Sequence, residues 1–125
     1  MSITDNAKAY HEKMFPGQQS ALAQTDPEFI ERFENFAFDE VVNQGDLADR
    51  TRMMAILATL LGCQGIDEFK VMLPAALNLG VTPVEAKEIV YQAAAYLGIG
   101  REFPKVKDTI YPNPRLHDFN LVTEY

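Results

Sequence analysis

The stretch Asn78-Leu79-Gly80-Val81-Thr82-Pro83-Val84-Glu85 constrains the fold more tightly than any other part of the chain. Asn-Leu-Gly closes a helix, because a glycine just past the last helical residue can take the left-handed conformation that turns the chain away. Thr-Pro-Val-Glu opens the next one. The Thr82 hydroxyl can accept from the amide of Glu85, and the Glu85 carboxylate can reach back to the amide of Thr82. Pro83 suits the first helical position, where its missing N–H has no partner in any case. One helix must end and another begin within a few residues.

The rest of the chain carries similar punctuation. Thr4 or Asp5 can cap a first helix reaching Met14, stopped by Phe15-Pro16-Gly17. Asp26 and Pro27 open a second. There Phe29, Ile30, Phe33, Phe36 and Ala37 recur at helical spacing, and Asn43-Gln44-Gly45 should end it, with Gly45 in a left-handed turn. A third helix starts near Asp46 or Asp49 and ends at Gly62. It carries Met53, Met54, Ile56, Leu57, Leu60 and Leu61, apolar nearly all round, which predicts a central position. A fourth spans about Ile66 to Leu79 with Phe69, Met72, Leu73, Ala76 and Leu77 as its stripe. Pro74 inside it removes a hydrogen bond and crowds the Lys70 carbonyl, at a cost of about 3 kcal/mol if unrelieved, so a kink or break is expected. The fifth, after Thr82, buries Ile89, Val90, Ala93, Ala94 and Leu97 and ends at Gly98-Ile99-Gly100. A short helix is expected from about Phe103 to Ile110, and Pro112 and Pro114 then force an extended tail over residues 112–125. No segment alternates between apolar and polar residues. The expected fold is all-α, one helical bundle of five to six helices forming a single domain over residues 1–125.

Charge narrows the partners. A formal net charge of -7 repels phosphate backbones and argues against nucleic acid. No apolar run is long enough to span a bilayer, and the start of the chain has no basic region followed by an apolar run. A single cysteine, Cys63, allows no internal disulfide. These features point to the cytoplasm. His11 and His117 lie far apart in the chain with no metal-ligand spacing around them, and no phosphate-binding loop is present, so neither a metal nor another cofactor is expected.

An ordered set of motifs resembles the carboxymuconolactone decarboxylase family, within the wider alkylhydroperoxidase-D-like group. The set begins with the Arg-led apolar helix Arg50-Thr51-Arg52-Met53-Met54 through Leu60-Leu61-Gly62. Asp67-Glu68-Phe69 follows, then Ala75-Ala76-Leu77-Asn78-Leu79-Gly80-Val81-Thr82-Pro83, and a helix closing on Tyr96-Leu97-Gly98. The match covers roughly residues 46 to 105. It implies a subunit that assembles as a homo-trimer or homo-hexamer, and one of two chemistries on a small-molecule substrate: decarboxylation of a muconolactone, or thiol redox chemistry of the peroxiredoxin kind.

The departures from the family pattern are specific. The thiol branch uses Cys-x-x-Cys, a histidine four residues on and a glutamate about one helix earlier. Those positions fall here on Gly65, Glu68, Met72 and about Met53. The decarboxylase branch also has a histidine at the Met72 position. Arg52, Glu68 and Tyr96 do resemble the decarboxylase branch.

Each candidate has two readings. Arg52 can clamp a carboxylate in two-point geometry, or pair with Asp46 or Asp49 at its own helix start. Glu68 can move a proton, or simply complement the helix dipole. Tyr96 can donate to substrate, or sit as a core aromatic. Cys63 can be a reactive thiol, although a peroxidase cycle also needs a resolving thiol, or a small buried hydrophobe. His11 can stand in for the absent histidine if it comes close to Glu68. The remaining reading is a non-catalytic oligomeric binding protein that kept the fold.

Overall fold

The computed structural model describes residues 2–98, 100, 109, 110 and 115. Its described elements are all helical, in the order α1 (Asp5–Met14), α2 (Leu22–Thr25), α3 (Pro27–Asn35), a π-helical turn (Phe36–Glu40), a 3-10 turn (Val42–Gln44), α4 (Asp49–Gly62), α5 (Ile66–Asn78) and α6 (Pro83–Leu97). No strand occurs among the described residues, as the absence of alternation predicts. The expected helix from Phe103 lies outside them except for Thr109 and Ile110, which are helical. The tail is described only at Arg115. No helix among the described residues is long and apolar enough to cross a membrane.

The chain divides into two compact units, Met1–Ala48 and Asp49–Tyr125. In the first, Thr4 caps α1 as its hydroxyl accepts from the Ala7 amide at 3.1 Å. The α1 helix ends on Phe15, and Gly17, at φ +72°, makes the turn. Asp26 does not cap α3 through its side chain; its Oδ2 accepts instead from the Thr25 hydroxyl at 2.9 Å. The second expected helix is also cut short. After Asn35 the backbone widens, and the Val41 amide donates to the Phe36 carbonyl at 2.9 Å, one residue further than an α-helical bond. Gly45 then runs extended, at φ -159°, rather than left-handed.

The apolar face expected for α3 is present but uncovered. Ile30 is buried, while Phe29 and Phe33 of α3 and Phe36 at the start of the π-helical turn are 57%, 46% and 59% exposed. Polar contacts tie the unit together instead. The Thr4 amide donates to Asn35 Oδ1 at 2.8 Å, and Asn35 donates to the Ser2 carbonyl at 2.9 Å. Asp39 accepts from Thr4 Oγ1 at 2.7 Å, Asn43 at 2.9 Å and Asn6 at 3.2 Å. The Thr4 hydroxyl first, then the two amides, hold the Asp39 carboxyl below the usual carboxylate range.

The second unit has an apolar core. Met53, Leu57 and Leu61 of α4 are buried at four- and four-residue spacing, against Phe69, Leu73, Ala76 and Leu77 of α5 and Ala86 and Val90 of α6. Burial at that spacing uses one stripe of α4. Met54, Ile56 and Leu60 remain partly exposed, so the helix is less enclosed than its composition suggests. The α5 helix is continuous through Pro74. Gly80, at φ +104°, turns the chain out of α5 close to the Cβ of Arg50. The capping box at Thr82 then forms in full: Glu85 N donates to Thr82 Oγ1 at 3.1 Å, and Thr82 N donates to Glu85 Oε1 at 2.9 Å.

Candidate functional site

The four candidate residues all fall in the second unit, but at different levels of it. Arg52 sits one turn into α4 with its side chain 12% exposed, and its Nη1 donates to Asp49 Oδ1 at 2.8 Å. Of the two acids expected as partners, Asp49 is the one engaged, at i−3 on the same helix face. Two residues earlier, Arg50 reaches Glu85 with two donors: Nε to Oε1 at 3.1 Å, and Nη2 to Oε2. Arg115 Nη1 donates to Asn78 Oδ1 at 3.1 Å. The start of α4, the end of α5 and the start of α6 therefore meet at one end of the unit, with Arg52 on Asp49, Arg50 on Glu85 and Arg115 on Asn78.

Glu68 and Cys63 belong to the other end of the α4–α5 pair. The two helices are joined by only Cys63–Gly65, so they pack back to back as neighbours. At 1.5 Å per residue, Arg52 lies about 15 Å along α4 from the connection, whereas Glu68 is in the first turn beyond it. Glu68 is exposed there, where its charge complements the dipole of α5. Tyr96 is 83% exposed near the far end of α6, about 16 Å along the axis from Glu85. It is not a core aromatic. Within this unit, Arg52 is thus separated from the other three candidates.

Cys63 is exposed, contrary to the expectation of a buried small hydrophobe. Its Sγ donates to the Leu60 carbonyl at 3.5 Å, a contact that only the protonated thiol makes. Gln64 beside it takes φ +61°, an uncommon conformation for a residue with a side chain. Of the four positions where the family's thiol branch has its functional residues, Met53 is buried and Met72 and Gly65 are half-buried, none of them titratable, and Glu68 is the one that carries an ionisable group. Among the described residues one buried cation occurs. Lys87 on α6 is 2% exposed, and desolvation lowers its ammonium below the ordinary lysine range.

The first unit holds a pair that periodicity gave no reason to join. His11 of α1 is engaged at both ring nitrogens, with Nδ1 2.9 Å from Glu34 Oε1 and Nε2 2.9 Å from the Gln18 carbonyl. Glu34 on α3 is 7% exposed. A signal for it existed, since Glu34 lies four residues after Ile30 and so on the buried face of α3. The pair lines a cavity of about 620 Å³ with Lys8, Glu12, Ser20 and Ile30. Both nitrogens of His11 have partners within this unit, which gives no support to a role beside Glu68. Among the described residues no group of three or more His, Cys, Asp or Glu side chains is placed to hold a metal ion.

The elements that carry these residues define an all-helical protein whose α4–α5–α6 unit has an arginine-rich end. Residues 27–106 match the model of the carboxymuconolactone decarboxylase family, and the chain belongs to that family. It is similar to the 4-carboxymuconolactone decarboxylase of Acinetobacter baylyi, with 34% identity over 76 residues. The aligned stretch covers 58% of this chain and 57% of that relative. No solved structure matches the chain.

Proposed function

We propose that the chain is a decarboxylase-like enzyme acting on a carboxylated lactone or a related acid, with Arg52 as the group that holds a carboxylate. The observation that carries this reading is the family match over residues 27–106, which includes Arg50 and Arg52 at the start of α4. A largely buried guanidinium oriented by Asp49 suits two-point binding of a carboxylate. In such a reaction the bond to the leaving carboxylate breaks, carbon dioxide departs, and the electron pair passes into an enolate. Nearby cations lower the barrier by stabilising that charge. The enolate carbon then takes a proton, a step assigned to Glu68 or to another acid in the working assembly.

The separation of Arg52 from Glu68 and Tyr96 within one unit fits a site completed by a neighbouring subunit. The exposed row Phe29, Phe33 and Phe36 supports assembly into a trimer or hexamer, because apolar faces of this kind need cover.

The test is lactone decarboxylation, followed by loss of lactone absorbance, with wild type beside Met72→His and Arg52→Ala. Wild-type activity that falls at least a hundredfold in Arg52→Ala is the expected result, on the order of what loss of a buried charge contact costs. Activity only in Met72→His would mean that the natural protein acts on something else. Silence in both would overturn the reading.

A further inference from the structure

The hydrogen bonds around His11 fix a proton count. The Gln18 carbonyl can only accept, so Nε2, at 2.9 Å, carries a hydrogen. A neutral ring in that tautomer presents a bare Nδ1 lone pair to Glu34 Oε1 at 2.9 Å. Facing an ionised carboxylate, two lone pairs would meet. The observed geometry needs one further proton, either on Nδ1, giving an imidazolium–carboxylate pair, or on Glu34, which would then donate to Nδ1.

That proton holds more than one pair together. Gln18 belongs to the short segment between α1 and α2, which forms one wall of the 620 Å³ cavity with Gly17, Gln19 and Ser20. Two side chains of α1 fasten this wall: His11 on the Gln18 carbonyl, and Glu12, whose Oε1 accepts from the Gly17 amide at 3.0 Å. Gly17, at φ +72°, provides a turn at its start. The charged groups facing the ring are few. Lys8 and Glu12 on α1 line the cavity, and Glu34 comes from α3. The segment 15–21 contributes no titratable side chain. The ring edges are covered by Phe15 and by Phe38 of the π-helical turn, at centroid distances of 5.6 and 5.8 Å.

We propose that His11 and Glu34 form a proton-dependent clasp that fastens the Gly17–Ser20 segment as a wall of the cavity in the first unit. The closed form binds one proton that the open form need not hold. By linkage, closure is favoured as pH falls and released as pH rises through the loss of that proton. Release would widen access to a cavity of mixed lining, with Ile3, Ala23 and Ile30 beside the polar groups. The clasp stands independently of the decarboxylase reading, since it uses none of the residues of the second unit.

The substitution Glu34→Gln separates this device from a merely structural contact. The glutamine amide can donate to a bare Nδ1, so the clasp closes on a neutral ring and needs no extra proton. The experiment is an NMR pH titration of the full chain in a His117→Gln background, so that a single imidazole is read. Ring nitrogen shifts and the Glu34 carboxyl carbon report the proton, and hydrogen-exchange protection of the Gly17 and Gln18 amides reports closure. In the parent chain, a doubly protonated ring or a protonated Glu34 should accompany protection that falls about tenfold as the proton is lost, the scale of one hydrogen bond to a charged group. In Glu34→Gln, protection should stay and its pH dependence should vanish. Two results would overturn the proposal: a singly protonated ring beside an ionised Glu34 while both amides stay protected, or the same pH profile in both chains. Should Glu34→Gln fail to fold by circular dichroism, the ring and carboxyl signals of the parent chain decide alone.

Discussion

The two units use opposite materials. In the second, the buried side chains include Met53, Leu57, Leu61, Phe69, Leu73 and Val90 beside a single lysine, Lys87, and the arginines lie at one end. In the first, Ala7, Met14 and Ile30 are buried, a glutamate is buried with them against a half-buried histidine, and three phenylalanines are outside. Phe29 and Phe33 stack at 6.2 Å, and Phe33 meets Phe38 edge-on at 5.7 Å, so even the exposed aromatics are ordered against one another. The second unit is a core held by apolar burial. The first is a polar scaffold that holds an aromatic face open, which suits a surface meant to be covered by something else.

Truncating one phenylalanine in each unit gives the largest test of that contrast. Phe69→Ala, at a fully buried site, should lower unfolding free energy by about 3–5 kcal/mol in urea denaturation. Phe33→Ala, at a site nearly half exposed, should cost about 1 kcal/mol or less in the isolated subunit and should reduce solution mass in analytical ultracentrifugation. Equal costs, with the mass unchanged, would break the comparison. A smaller effect is expected at the capping box. Thr82→Ala removes the acceptor for the Glu85 amide and should cost about 1 kcal/mol. Amide exchange in the first turn of α6 should rise with it, while α1 stays unaffected.

The smallest effect concerns acid. Asp39 has its carboxyl lowered by Thr4, Asn43 and Asn6, so the folded first unit prefers the ionised form. The sign follows directly: this stabilisation is complete above the ordinary carboxylate range and is lost as pH falls through the lowered value. Asp39→Asn should therefore flatten the acid limb of a stability–pH curve. A curve of unchanged slope below the ordinary carboxylate range would remove Asp39 from the account.

Much of the fold was legible because helix ends are written locally. Thr4, Gly80, Thr82 and Pro83 act on backbone groups within four residues, and no tertiary context is needed to read them. Asp26 shows the limit, since its neighbour Thr25 offered a competing hydrogen bond. Periodicity placed Phe29, Phe33 and Phe36 on one face correctly, but the spacing of residues does not say whether a face is covered. The same limit applied to Tyr96 and Cys63, both more exposed than a core reading allowed. Arg52 with Asp49 was legible as an i−3 pair, whereas its distance from Glu68 required knowing that α4 and α5 turn back on each other. His11 and Glu34 are separated by 23 residues and carry no local mark that joins them.

The π-helical turn at Phe36–Glu40 also bears on how this chain should be counted against its relatives. A bond that spans five residues instead of four takes up one residue without adding a turn, and rotates everything after it by about 100° relative to an ideal α-helix. A relative one residue shorter at this point would present the same faces through an ordinary helix. An alignment without a gap there would then match Val41, Val42 and Asn43 to residues on the wrong side, and the true equivalences would be found by superposing turns rather than by numbering residues.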